Sequence, residues 1–157
     1  MSWLPTTAPG ASSFERVFGL CPELHTDFRG FAERFWTARP VDPVLLELCR
    51  LRVASLLGCT RALRARRPEA IAAGLAEDRI AALDDWRSAP AFSPAERACL
   101  AFTEKFVLDP HAVTDDDVAA ITTHLSPAEV VALTEAVALF DGFTRFELML
   151  GVDQVER

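Results

Sequence analysis

Between Val44 and Gly74 the chain reads VLLELCRLRVASLLGCTRALRARRPEAIAAG. Apolar residues dominate as far as Leu57. Just ahead, Asp42-Pro43 supplies a capping acid and a proline suited to the first helical position. This pattern predicts a helix over about 43–57. Gly58 is suited to end it, and Cys59 opens a second stretch over about 59–73. Pro68 stands inside that stretch, where a kink or a break is expected. Glu47 lies among Val44, Leu48 and Leu51. A carboxyl group on such a face must be paired or reach solvent through a pocket. Arg50 and Arg145 are its candidate partners.

Outward from this stretch the chain is helix punctuation. Ser93-Pro94-Ala95-Glu96 and Ser126-Pro127-Ala128-Glu129 are capping boxes with proline at the first helical position. Thr114 precedes Asp115, Asp116 and Asp117, acids that suit the positive end of a helix dipole rather than a calcium loop. Further helices are predicted over about 12–18, 23–37, 77–86, 94–108, 115–124 and 127–149. The last is apolar over much of its circumference and is expected to be central. Phe28, Phe31, Phe35, Trp36 and Trp86 read as packing anchors or one wall of a pocket. No strand pattern bounded by hairpin turns is present. The fold class is all-α.

At 157 residues and 17.2 kDa the chain is expected to be a single domain over 1–157, led by a flexible segment over 1–11. Half of its residues are hydrophobic, enough to exclude disorder as the main state. A net charge of −7 argues against nucleic acid and anionic membrane surfaces as partners. No apolar run is long enough to span a bilayer. Met1 to Ser13 lacks the basic front and apolar stretch of a signal peptide, so a cytoplasmic location is expected. Cys21, Cys49, Cys59 and Cys99 are then reduced. Neither they nor His25, His111 and His124 have metal-ligand spacing, and no metal or cofactor is expected.

Cys59 is the chemical candidate. A thiol near a helix start, beside Arg61 and Arg64, gains thiolate character and could attack a peroxide. The alternative is a small buried apolar side chain. Arg50, Arg52, Arg61, Arg64, Arg66 and Arg67 crowd into 18 residues of an acidic chain. They suit an anion site, an acidic partner, or ion pairs with acidic helices.

These residues together resemble the alkylhydroperoxidase D / carboxymuconolactone decarboxylase family. Its redox branch has a glutamate on one helix, then Gly-Cys-x-x-Cys-x-x-x-His opening the next. Glu47 matches the glutamate, twelve residues before Cys59, and Gly58-Cys59 matches the first half of the motif. Ala70 and Gly74 match its tail. The segments Asp85 to Arg87, Phe92 to Ala98 and Phe140 to Phe146 follow in the family's order. The resemblance implies a single-domain alkylhydroperoxidase D-like helical bundle that assembles into homo-oligomers.

The second cysteine position is Ala62, and the histidine position is Arg66. In the redox branch the second thiol attacks the hydroperoxide, the first resolves it as a disulfide, and glutamate and histidine relay protons. Alanine has no sulfur, and an arginine does not release its proton at neutral pH. The dithiol cycle should therefore be absent, and the family's decarboxylase activity is in doubt on the same histidine. Three functions stay open. The site could be a rebuilt small-molecule pocket near Glu47, Cys59 and Arg66, with Arg66, and Arg145 as a further candidate, binding a small anionic group. Cys59 could serve alone as a thiol-dependent hydroperoxide reductase, with Glu47 accepting its proton. The chain could be a non-catalytic helical oligomer. Either chemical reading requires Cys59 and Arg66 to open onto the same cavity as Glu47.

Overall fold

A computed structural model describes residues 2–4, 9–10 and 12–152. The flexible segment expected over 1–11 falls largely outside them. Among the described residues nine α-helices follow in order: α1 Ser13–Phe18, α2 Pro22–Thr37, α3 Pro43–Leu57, α4 Thr60–Arg64, α5 Pro68–Ala72, α6 Glu77–Ala81, α7 Pro94–Leu108, α8 Asp115–Thr122 and α9 Pro127–Met149. Tight 3-10 turns at Ala82–Asp85 and Pro110–Ala112 complete the order, and the described residues contain no strand. None of their helices is long and apolar enough to cross a membrane.

The predicted caps form. Ser93, Ser126 and Thr114 each make a full capping box, with Glu96, Glu129 and Asp117 reaching back to the cap. The stretch predicted as one helix over 59–73 is broken into α4 and α5. Arg67 is extended (φ −87°, ψ 121°), as a residue before proline must be, and Pro68 starts α5.

The central helix is α3, not α9 as the apolar count suggested. Its residues are buried on nearly every side, with Leu46, Leu48, Cys49, Val53 and Ala54 fully enclosed. A leucine so placed contributes about 1.5–3 kcal/mol relative to exposure. The main partners of α3 are α7 and α9. In α9 the buried residues make one stripe, Leu133, Ala136, Val137, Thr144 and Glu147, while Val131 and Met149 stay exposed. Rings from α1, α2 and α9 (Phe14, Phe18, Phe28, Phe143 and Phe146) form a separate cluster, in which Phe28 and Phe143 stack with centroids 3.7 Å apart.

Two junctions place the site. Asp42 caps α3 by accepting from the N–H groups of Val44 and Leu45. Gly58 ends α3 in the left-handed conformation (φ 70°), and the Cys59 N–H closes the turn on the Ala54 carbonyl at 3.0 Å. That closure fixes Cys59 at the start of α4.

Candidate functional site

Glu47 is fully buried on α3 and bound at both oxygens. Arg50, one turn later, donates from Nε to Oε2 and from Nη2 to Oε1, each at 2.7 Å. The Arg67 backbone N–H donates to Oε1 at 3.2 Å. Arg50 in turn donates to the carbonyls of Ala62 and Ala65, both at 2.8 Å. The pair thus satisfies the exposed backbone groups where α4 stops and α5 has not begun. Of the two candidate partners for Glu47, the structure selects Arg50. Arg145 is half-exposed on α9 and held one turn back by Asp141, at 2.9 Å.

Cys59 is fully buried, and its thiol donates to Glu147 Oε2 at 3.3 Å. Arg61 donates to the same carboxylate from Nε, at 3.0 Å to Oε2, and from Nη2 to Oε1. Its guanidinium also lies over the Phe14 ring, 4.6 Å from the centroid.

A cavity of about 230 Å³ opens between α2, α4 and α9. Rings of Phe28, Trp36, Phe140 and Phe143 wall it, with Ala62 from α4 and Thr144 and Glu147 from α9. Arg50, Arg61 and Arg67 complete the lining. Arg67 lies over Trp36 at 4.6 Å and bonds Glu33 of α2 at 2.9 Å and Glu69 of α5 at 3.2 Å. Every guanidinium on the cavity is therefore paired with a carboxylate, and the lining combines aromatic rings with these ion pairs. Among the described residues no three of His, Cys, Asp or Glu gather as a metal ion requires.

The sequence profile of the carboxymuconolactone decarboxylase family matches residues 22–105. The chain belongs to this family. Relatives of this member include the uncharacterized protein YnjA of Escherichia coli K12, 26% identical over 125 residues that span 80% of this chain and 68% of YnjA. Among solved structures, ATU0492 of Agrobacterium tumefaciens is a protein of unknown function with a suggested AhpD antioxidant role. It superposes with a TM-score of 0.78 at 20% identity, over 90% of this chain and 97% of its own. The debrominase Bmp8, as its C82A variant in complex with 2,3,4-tribromopyrrole, superposes with a TM-score of 0.76 at 16% identity, over 99% of this chain and 94% of its own. These likenesses establish the alkylhydroperoxidase D-like fold.

Within this carboxymuconolactone decarboxylase family member, none of Glu47, Cys59 and Arg66 lines the cavity, so the shared opening expected of these three residues is not formed. Ala62, at the position of the second cysteine, lines it, whereas fully buried Cys59 reaches it through Glu147. Glu47 reaches it through Arg50. Arg66 does not line it: its guanidinium grips Glu77 at 2.7 and 3.0 Å and the carbonyls of Leu63 and Ala65. That hydrogen-bonded pair holds the Glu77 carboxyl below its usual range and raises Arg66. Sequence reasoning missed Glu147. Its signal was present: a charge on the buried stripe three residues after Thr144 and seven after Phe140, a spacing that puts all three on one face.

Proposed function

We propose that this family member binds a small aromatic molecule with one polar edge in the cavity between α2, α4 and α9, and does not run a dithiol peroxide cycle. The observation that carries this reading is the place of Ala62. Where the redox branch has a reacting sulfur, this chain presents a methyl group to a cavity walled by four aromatic rings. A disulfide cycle needs two sulfurs a turn apart, and only Cys59 is left of them. The volume of about 230 Å³ is below that of pockets for drug-sized ligands and suits a single ring. A neighbour of the same fold in complex with 2,3,4-tribromopyrrole supports a ligand of that size and flatness. The guanidiniums lining that cavity are those of Arg50, Arg61 and Arg67, in place of the Arg66 clamp expected from the sequence.

The test is titration with 2,3,4-tribromopyrrole, followed by fluorescence of Trp36 on the cavity wall and checked in Trp36→Phe. Saturable quenching is expected in the wild type and in Arg66→Ala. Ala62→Phe, which fills the cavity, should abolish it while leaving the helical circular dichroism intact. A wild type that shows no saturable response, or an Ala62→Phe variant that still binds, counts against the pocket.

The contact between Cys59 and Glu147 favours a second reading, a one-cysteine hydroperoxide reductase. The thiol would be oxidised by ROOH to a sulfenic acid, releasing ROH. Two external thiols would then restore it, giving their disulfide and water. Glu147, not Glu47, would take the proton. Hydroperoxide consumption under excess thiol, lost in Cys59→Ala, is the result this reading expects; equal rates in both proteins would remove it.

A further inference from the structure

We propose that Glu147 selects the ligands of this cavity, admitting rings that present an acidic O–H or N–H and rejecting the same rings with that donor methylated. This rests on the aromatic-pocket reading above. The argument is a count of acceptor positions. An ionised carboxylate offers about four, two on each oxygen. On Glu147, Oε2 accepts from Arg61 Nε and from the Cys59 thiol, and Oε1 accepts from Arg61 Nη2. Among the described residues these three donors leave one position, on Oε1, at a carboxylate that lines the cavity.

The carboxylate cannot turn away to satisfy itself elsewhere. Arg61 holds it with two hydrogen bonds and is itself fixed over Phe14, while the Cys59 thiol bonds it from the buried side. The same cavity is walled by the rings of Phe140, Phe143 and Phe28. A ligand that fills this space displaces water from Oε1. A phenol or a pyrrole N–H replaces that water with a charge-assisted hydrogen bond. A methyl ether or N-methyl ring leaves the acceptor dry and unpaired, which a site built around a hydrogen bond rejects strongly. Thr144, one turn earlier on the same wall, has a hydroxyl that both donates and accepts, so it does not discriminate. At Glu147 itself a carboxylate ligand offers no donor and meets like charge.

The experiment compares 4-chlorophenol with 4-chloroanisole, and benzoate as the anionic probe, by amide chemical-shift titration of the whole protein. In the wild type the phenol should bind ten-fold or more tighter than its ether. In Glu147→Gln, which keeps the volume, the ratio should fall to about three-fold or less, with helical content unchanged. Phe143→Leu should weaken phenol and ether alike and preserve their ratio. Equal affinities in the wild type, or benzoate binding better than the phenol, overturn selection by Glu147 while leaving the pocket standing. Shifts from none of the three probes at the cavity lining would overturn the pocket and this inference together. Equal affinities in the wild type would overturn the inference even if Glu147→Gln fails to fold.

Discussion

The Cys59 sulfur, at the start of α4, meets the Glu147 carboxylate, near the end of α9, at 3.3 Å across 88 positions of chain. A second carboxylate, Glu47, binds the other end of α4 through Arg50 and the carbonyls of Ala62 and Ala65. A five-residue helix has almost no stability of its own. The position of α4, and of Ala62 on the cavity wall, therefore depends on these two acids. The carboxylate that the family motif assigns to proton transfer is engaged in fastening backbone, and the carboxylate beside the thiol comes from another helix.

The Glu47–Arg50 pair should behave as one unit. Glu47→Ala and Arg50→Ala are each expected to cost about 2–4 kcal/mol, because each leaves a buried charged partner without its counterpart. The double variant should cost less than the two costs added, by about 1.5 kcal/mol or more. Urea unfolding of the four proteins measures this. Strict additivity would show that the two side chains do not stabilise the α4–α5 break together.

The parts of the fold that were legible in the sequence are those fixed by local geometry. Gly58 marked the end of α3, Pro68 the break after α4, and Ser93, Thr114 and Ser126 the starts of three helices, because capping and backbone dihedrals act over three or four residues. Burial of α3 over α9 was not legible: α9 is the more continuously apolar helix, but Val131 and Met149 face outward. The partners of long side chains were only half legible. Arg50 to Glu47 is a one-turn pair on a helix, which spacing predicts. Arg66 to Glu77 and Arg61 to Glu147 depend on where the chain turns, and flexible stems let an arginine reach several carboxylates. The cavity lining therefore includes Arg61 and Glu147 and not Arg66.

Acid should weaken the α7–α8 contact through Asp117. Hydrogen bonds from Lys105 and from the Thr114 cap hold its pKa at about 2, below the ordinary 3.8. The folded state thus releases this proton more readily than the unfolded chain. The stability it contributes is complete above about pH 3.8 and is lost as pH falls through about 2. Glu104 acts in the same direction. Burial works against its charge, but hydrogen bonds from Trp86, Arg87 and Arg52 outweigh it and keep its pKa lowered. In acid titrations of stability, Asp117→Asn should show a shallower fall over this range than the wild type. A slope identical to the wild type would remove Asp117 from the acid response.

Thiol labelling should divide the cysteines by position. Cys21 is exposed and should react with a disulfide reagent within minutes at mildly alkaline pH. Burial, the largest cause, pushes the Cys49 thiol up to about 12 and raises Cys99 as well. Both should react only on unfolding. Cys59 is fully enclosed and should be slow in the free protein. Mass mapping of the labelled sites checks each. Rapid native labelling of Cys59 would show that α4 opens readily, and would favour the one-cysteine reductase over the pocket.

Alanine at two glycines should act with opposite sign. Gly58 sits at φ 70°, where a side chain is strained even though a Cβ there meets nothing within 4 Å. Gly58→Ala should therefore cost about 1 kcal/mol from backbone conformation alone. Gly142 lies within α9, and a Cβ there also meets nothing within 4 Å. Gly142→Ala should stabilise by about 0.5–1 kcal/mol, since alanine loses less conformational freedom in a helix. The two variants also separate stability from site geometry. The Cys59 N–H closes the turn at Gly58, so Gly58→Ala should speed labelling of Cys59 by more than its loss of global stability accounts for, while Gly142→Ala should slow it or leave it unchanged. Equal labelling rates in both variants would show that the turn at Gly58 does not hold Cys59 in place.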